Sequence, residues 1–123
     1  MNIKASPRSV DDTVSRLREL LDARGIKLFA VIDHSGEAQA AGLELRNTKV
    51  VLLGNPRAGT PVMVAAPLAA LDLPLRVLVW DDDGETRLAY TEPAELAARY
   101  GLTDELAAPL AAIDIVTDAL IQL

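Results

Sequence analysis

With 123 residues, half of them hydrophobic, the chain is long enough for one proper core and too short for two, which predicts a single domain over residues 1–123. Twelve basic and eighteen acidic residues leave a formal net charge of −6, and one Phe, two Tyr and one Trp are too few for the basic, aromatic-rich face on which nucleic-acid binding depends. Zero cysteines exclude disulfides, zinc–thiolate sites and thiol nucleophiles; with no apolar run of about 18 residues and no leader-like pattern over Met1 to Val10, the expectation is a cytoplasmic protein that makes no membrane contact.

Asn2 to Ala5 alternates polar and apolar side chains and reads as a first strand that Ser6-Pro7 stops. Ser9 is a good N-cap, Asp11 and Asp12 suit a first helical turn, and Val10, Val14, Leu17 and Leu21 recur at helical spacing up to Gly25, which can leave the helix at positive φ. Ile26 to Asp33 is apolar at nearly every position, which predicts a strand at least partly covered on both faces, and His34-Ser35-Gly36 should turn the chain. Glu37 to Leu43 has helix formers for one or two turns. Lys49 to Leu53 is rich in β-branched residues and fits a buried strand, ended by Gly54-Asn55-Pro56, where Gly54 should need a backbone geometry closed to valine. Beyond it Gly59 offers backbone freedom, Thr60 a capping hydroxyl and Pro61 a first helical residue, so the next helix should run from Thr60 to Ala66, closed by Pro67.

Leu68 to Leu73 is apolar and turn-like, and Pro74 precedes a strand over Leu75 to Asp81. Asp82-Asp83-Gly84 is a hairpin turn with Arg87 to Thr91 as the return strand. Pro93 opens a helix through Tyr100 closed by Gly101, and Thr103 caps a last helical stretch whose Leu106, Leu110, Ile113 and Leu120 share a face and which Pro109 should kink or restart. Strands thus cluster instead of alternating with long helices. The order predicts an α+β, two-layer fold, a mainly antiparallel sheet of about five strands with helices packed on one face.

The blocks Asp33-His34, Gly42-Leu43-Glu44-Leu45-Arg46, Leu53-Gly54-Asn55-Pro56, Gly59-Thr60, Asp72-Leu73-Pro74-Leu75 and Val77-Leu78-Val79-Trp80 together resemble the domain-of-unknown-function family 302 over nearly the whole chain. Asn47 departs from it, standing where that family usually has proline after the arginine. The resemblance implies a strand, helix, four strands, helix arrangement similar to the TATA-box-binding-protein-like class, a homodimer, and no established activity.

Chemistry is concentrated around the glycine turn. Gly54 to Thr60 has the glycine spacing of a phosphate-binding loop, but Thr60 occupies the position of its essential lysine, which argues against a nucleoside triphosphatase. What survives is an anion or carboxylate site at a helix start, built from Asn55, Arg57, Gly59 and Thr60 with Arg46 beside them, or a purely structural turn. His34, the only histidine, preceded by Asp33 and close to Ser35, invites a general base, yet by itself it cannot build a metal cage, and the only second titrating groups on offer are acidic turn residues. Asp81-Asp82-Asp83-Gly84-Glu85 lacks the ligand spacing of a calcium loop, and Ser9, Ser35 and Thr60 have no nucleophile-elbow context. No metal and no cofactor is therefore expected. Met63, Leu68, Leu71, Leu73 and Leu75 form an apolar, proline-interrupted cluster that suits a pocket wall or a subunit contact. Three functions follow: a module binding a small anionic or amphipathic ligand through Arg46, Asn55, Arg57, Gly59 and Thr60; an acid–base enzyme using His34 with Arg46; or a structural homodimer without ligand.

Overall fold

The computed structural model describes residues 1–123. Five strands, β1 (Asn2–Ser6), β2 (Lys27–Asp33), β3 (Thr48–Gly54), β4 (Leu75–Asp82) and β5 (Glu85–Tyr90), form one sheet in the order β1-β5-β4-β3-β2. Every neighbouring pair is antiparallel. The helices are α1 (Val10–Ala23), α2 (His34–Ala40), α3 (Pro56–Ala65), α4 (Pro93–Tyr100), α5 (Asp104–Ala107) and α6 (Ala112–Leu120), with 3-10 turns over Pro67–Leu71 and Ala108–Ala111. This is the α+β sheet-and-helix architecture that the element order predicts.

The core lies between one face of the sheet and the helices. Val51 and Leu53 of β3, Leu75, Val77 and Val79 of β4, and Leu88 and Tyr90 of β5 alternate inward, as period-two side chains of half-buried strands must. They meet Val10, Val14, Leu17, Leu20 and Leu21 of α1, Leu96 of α4, and Leu110, Ile113, Val116 and Leu120 from the carboxyl-terminal segment. Ser9 caps α1 by accepting from the Asp12 N–H, and Gly25 follows at φ +67. Thr103 caps α5 through the Leu106 N–H, and Pro109 falls in the 3-10 turn, where the chain restarts as α6. The β4–β5 hairpin turns through Asp83 and Gly84 at φ 52 and 91, the two left-handed residues of a type I′ turn.

Several local expectations are corrected. β2 is an edge strand, and most of its side chains are exposed instead of covered on both faces. Its apolar run cannot reveal an edge, because strand order is a property of the whole sheet. A bulge between Leu28 and Ala30 lets both Leu28 and Val31 turn inward and interrupts that open edge. His34-Ser35-Gly36 is the first turn of α2 and not a free turn: Asp33 caps it by accepting from the Gly36 N–H at 3.0 Å. The helix after β3 starts at Pro56 and not at Thr60, because Asn55 is the cap and Pro56 takes the first helical position. Pro61 therefore sits inside α3. Gly54 and Gly59 have no positive φ, and a Cβ on Gly54 would meet only Phe29 at 3.8 Å, so neither glycine is demanded by backbone geometry.

Candidate functional site

The carboxyl end of β3, the α3 start and the α6 segment enclose a cavity of about 540 Å³. Its floor is built from core side chains, Leu53, Leu75, Leu110, Ile113 and Val116, all buried. Phe29, Met63, Leu73 and Ile115 extend the apolar wall, so the sequence cluster around Met63 splits: Met63, Leu73 and Leu75 line the cavity, while Leu68 and Leu71 point to solvent at 71% and 72% exposure. Arg24 is the one charged residue in the lining, and Asn55 and Thr60 are its only other polar side chains. All three are exposed, which sets a polar rim on an apolar floor.

Each rim residue owes its place to local structure. Arg24 is the C-cap of α1, held just before the left-handed Gly25 that redirects the chain into β2. Asn55 uses its Oδ1 to accept from the Arg57 N–H at 2.9 Å, which leaves its Nδ2 donors directed elsewhere. Neither the Arg24 guanidinium nor the Thr60 hydroxyl has an ion-pair or hydrogen-bond partner within the chain.

Of the expected ligand-binding residues, the structure brings Asn55, Gly59 and Thr60 together at this cavity. Arg57 is exposed and lies outside the lining. Arg46 belongs to a different recess, 3.9 Å from the Asp82 carboxylate. The backbone donors counted on for an anion are also engaged: the Ala58 and Gly59 N–H groups both donate to the Asn55 carbonyl at 2.9 Å, the Arg57 N–H goes to the Asn55 side chain, and Pro56 has none. The start of α3 thus satisfies itself. Sequence reasoning missed Arg24, whose position near a helix end next to a glycine pointed to capping and gave no hint that the fold would bring it to the same cavity as Asn55.

The second recess is polar and shallow, lined by Asp11, Asp33, Ser35, Glu44, Arg46, Asn47 and Lys49 among others. Asp11, Asp33, Ser35, Asn47 and Lys49 are hydrogen-bonded among themselves. The Asp11 carboxylate accepts from Lys49 Nζ at 2.7 Å and from Asn47 Nδ2 at 3.0 Å, and those bonds hold it below its usual range. The Ser35 hydroxyl at 2.7 Å and the Gly36 N–H do the same for Asp33. His34 is exposed at the start of α2, lines neither recess and makes no side-chain hydrogen bond, so it is not among the residues that line the recess with Arg46. No group of three or more His, Cys, Asp or Glu side chains is placed to hold a metal ion.

Fold and cavity define a small open-sheet α+β domain with one apolar, polar-rimmed pocket. The chain belongs to the family described as "Domain of unknown function DUF302", which matches residues 2–120. The crystal structure of an uncharacterised conserved DUF302 protein from Bacillus stearothermophilus superposes with a TM-score of 0.80, covering 98% of this chain and 94% of that one at 20% identity, a likeness of fold. Over 98 residues, 79% of the chain, it is 38% identical to "Fluoride-specific ion channel FluC 1" of Brucella suis, of which it spans 39%. It is equally similar to FluC 1 of Brucella abortus and FluC 2 of Brucella melitensis, spanning 36% of each. The chain therefore covers under two fifths of these curated relatives, and no helix of it is long and apolar enough to cross a membrane.

Proposed function

We propose that this domain is a binding module for a small amphipathic ligand with an apolar body and an anionic head. The observation that carries the reading is the cavity itself: about 540 Å³, floored by buried aliphatic side chains and rimmed by a single charge, Arg24. That volume falls in the range of small-molecule sites, roughly 300 to 1,000 Å³, and the pattern of many apolar walls with few polar groups is the usual one for such sites. Arg24 supplies the charge for a carboxylate or phosphate, and Asn55 Nδ2 and the Thr60 hydroxyl supply further donors. The role first assigned to Arg46 and Arg57 passes to Arg24. An acid–base enzyme finds no support in the position of His34, and the ion transport named for the Brucella relatives is not extended to this chain.

Decanoate and uncharged decanol, titrated separately by calorimetry, test the reading. Decanoate should bind, and Arg24→Gln should weaken it about tenfold, roughly 1.4 kcal/mol, while leaving decanol unchanged. Met63→Trp should block both by filling the cavity, and Arg46→Ala and Arg57→Ala should alter neither. Failure of both probes to bind at millimolar concentration, with the protein folded, would reject the proposal.

A further inference from the structure

The second face of the sheet has no cover. Strand register aligns Ile3 of β1, Ala89 of β5, Leu78 of β4, Val50 of β3 and Ile32 of β2 in one apolar row running from edge to edge. Leu52, between Ala30 and Arg76, and Trp80, between Thr48 and Arg87, stand two residues along their strands on the same side, so the apolar row is flanked by two arginines. Of these residues only Ala89 is buried, at 7% exposure, and none joins the cluster that fills the space between sheet and helices. Ile3 and Ile32, at the two ends of the row, are 56% and 39% exposed.

We infer that this face is the docking surface for a second copy of the chain, with two sheets packed face to face about a two-fold axis. The area is sufficient: five strands about 4.8 Å apart and about six residues long at ~3.3 Å each span roughly 24 by 20 Å. With side chains interdigitated, such a face buries roughly 600 to 800 Å² per copy, near the ~800 Å² per partner of a specific interface. Left in water, its apolar part would forfeit about 25 cal/mol per Å². The row reaches both edges, so a copy turned about an axis in the sheet plane sets apolar on apolar across the whole width, which is what an isologous contact requires. An anionic membrane surface fits poorly, because the chain carries a net charge of −6. Edge-to-edge strand pairing is hindered on one side by the bulge in β2.

Trp80, the only tryptophan, lies on this face and reports directly on whether it is covered. Sedimentation velocity should show a dimer at tens of micromolar, and dilution through dissociation should red-shift the Trp80 emission as its indole meets water. The double variant Ile3→Lys/Ile32→Lys changes only exposed edge positions, so it should remain folded by circular dichroism and sediment as a monomer. Leu68→Glu, in the separate exposed patch of Val64, Leu68 and Leu71, should leave the dimer intact. A monomeric wild type, an emission maximum independent of concentration across dissociation, or a dimer lost in Leu68→Glu yet kept in the double variant would overturn the inference. Ligand titrations of the monomeric variant read the cavity independently, so failure of one proposal is not failure of the other.

Discussion

The two faces of the sheet are made of the same residue types in the same strands, yet they differ in every physical respect that matters. On the inner face Val51, Val77, Val79 and Leu88 are sealed by helices. On the outer face Val50, Leu78 and Trp80 are only partly buried, although each is the chain neighbour of a sealed residue. Hydrophobicity alone therefore does not specify burial; what the chain folds over it does. The cavity lies on the sealed side, where helix packing leaves a gap between α3 and the α6 segment, and the bare side is the one proposed to dock a second copy.

Truncating one residue from each face gives the largest test of this difference. Leu88→Ala should cost about 3 to 4 kcal/mol by leaving a cavity among fixed neighbours, whereas Leu78→Ala should cost less than about 1.5 kcal/mol in the monomer. Urea unfolding at sub-micromolar protein measures both, and equal losses would mean that the faces are not energetically distinct.

A smaller effect follows from the turn that sets which residues face which way. Gly84 sits at φ +91 in the β4–β5 hairpin, so Gly84→Ala should destabilise by about 1 kcal/mol or a little more through backbone strain. Gly54→Ala should stay within about 0.5 kcal/mol, since its Cβ meets Phe29 only at ordinary contact distance. Thermal unfolding that ranks the two in the opposite order would remove the turn as the determinant of register.

The smallest effect belongs to the polar tie in the helix layer. The Asp72 carboxylate accepts from the Tyr100 hydroxyl and from Arg99 at 2.7 Å, and those bonds hold its pKa below the ordinary 3.8. A carboxyl depressed in the folded state stabilises above its unfolded pKa, and that stability disappears as pH falls through the folded value. The difference in Tm between wild type and Asp72→Asn should therefore be present at pH 6 and vanish near pH 2. Because the pair is partly exposed, it should amount to no more than about 1 kcal/mol. A difference that persists undiminished at pH 2 would show that Asp72 acts by shape alone.

Local chemistry was legible in the residues themselves. Ser9 and Thr103 as caps, Gly25 and Gly101 as left-handed exits, the Asp83-Gly84 turn and the stripe of α1 each depend on neighbours within a few positions, and each stands where periodicity and capping rules put it. The α3 start was misread because two proline-led capping patterns, Asn55-Pro56 and Thr60-Pro61, lie five residues apart and only the first is realised. Strand order, the exposure of β2 and the placing of Arg24 and Asn55 on one cavity were decided by tertiary structure alone, since pairings between distant segments leave no mark in a local window. The same holds for the bare face: Val50 and Val51 read alike in sequence, and only the placement of α1 and α6 on one side of the sheet makes one a core residue and the other a surface.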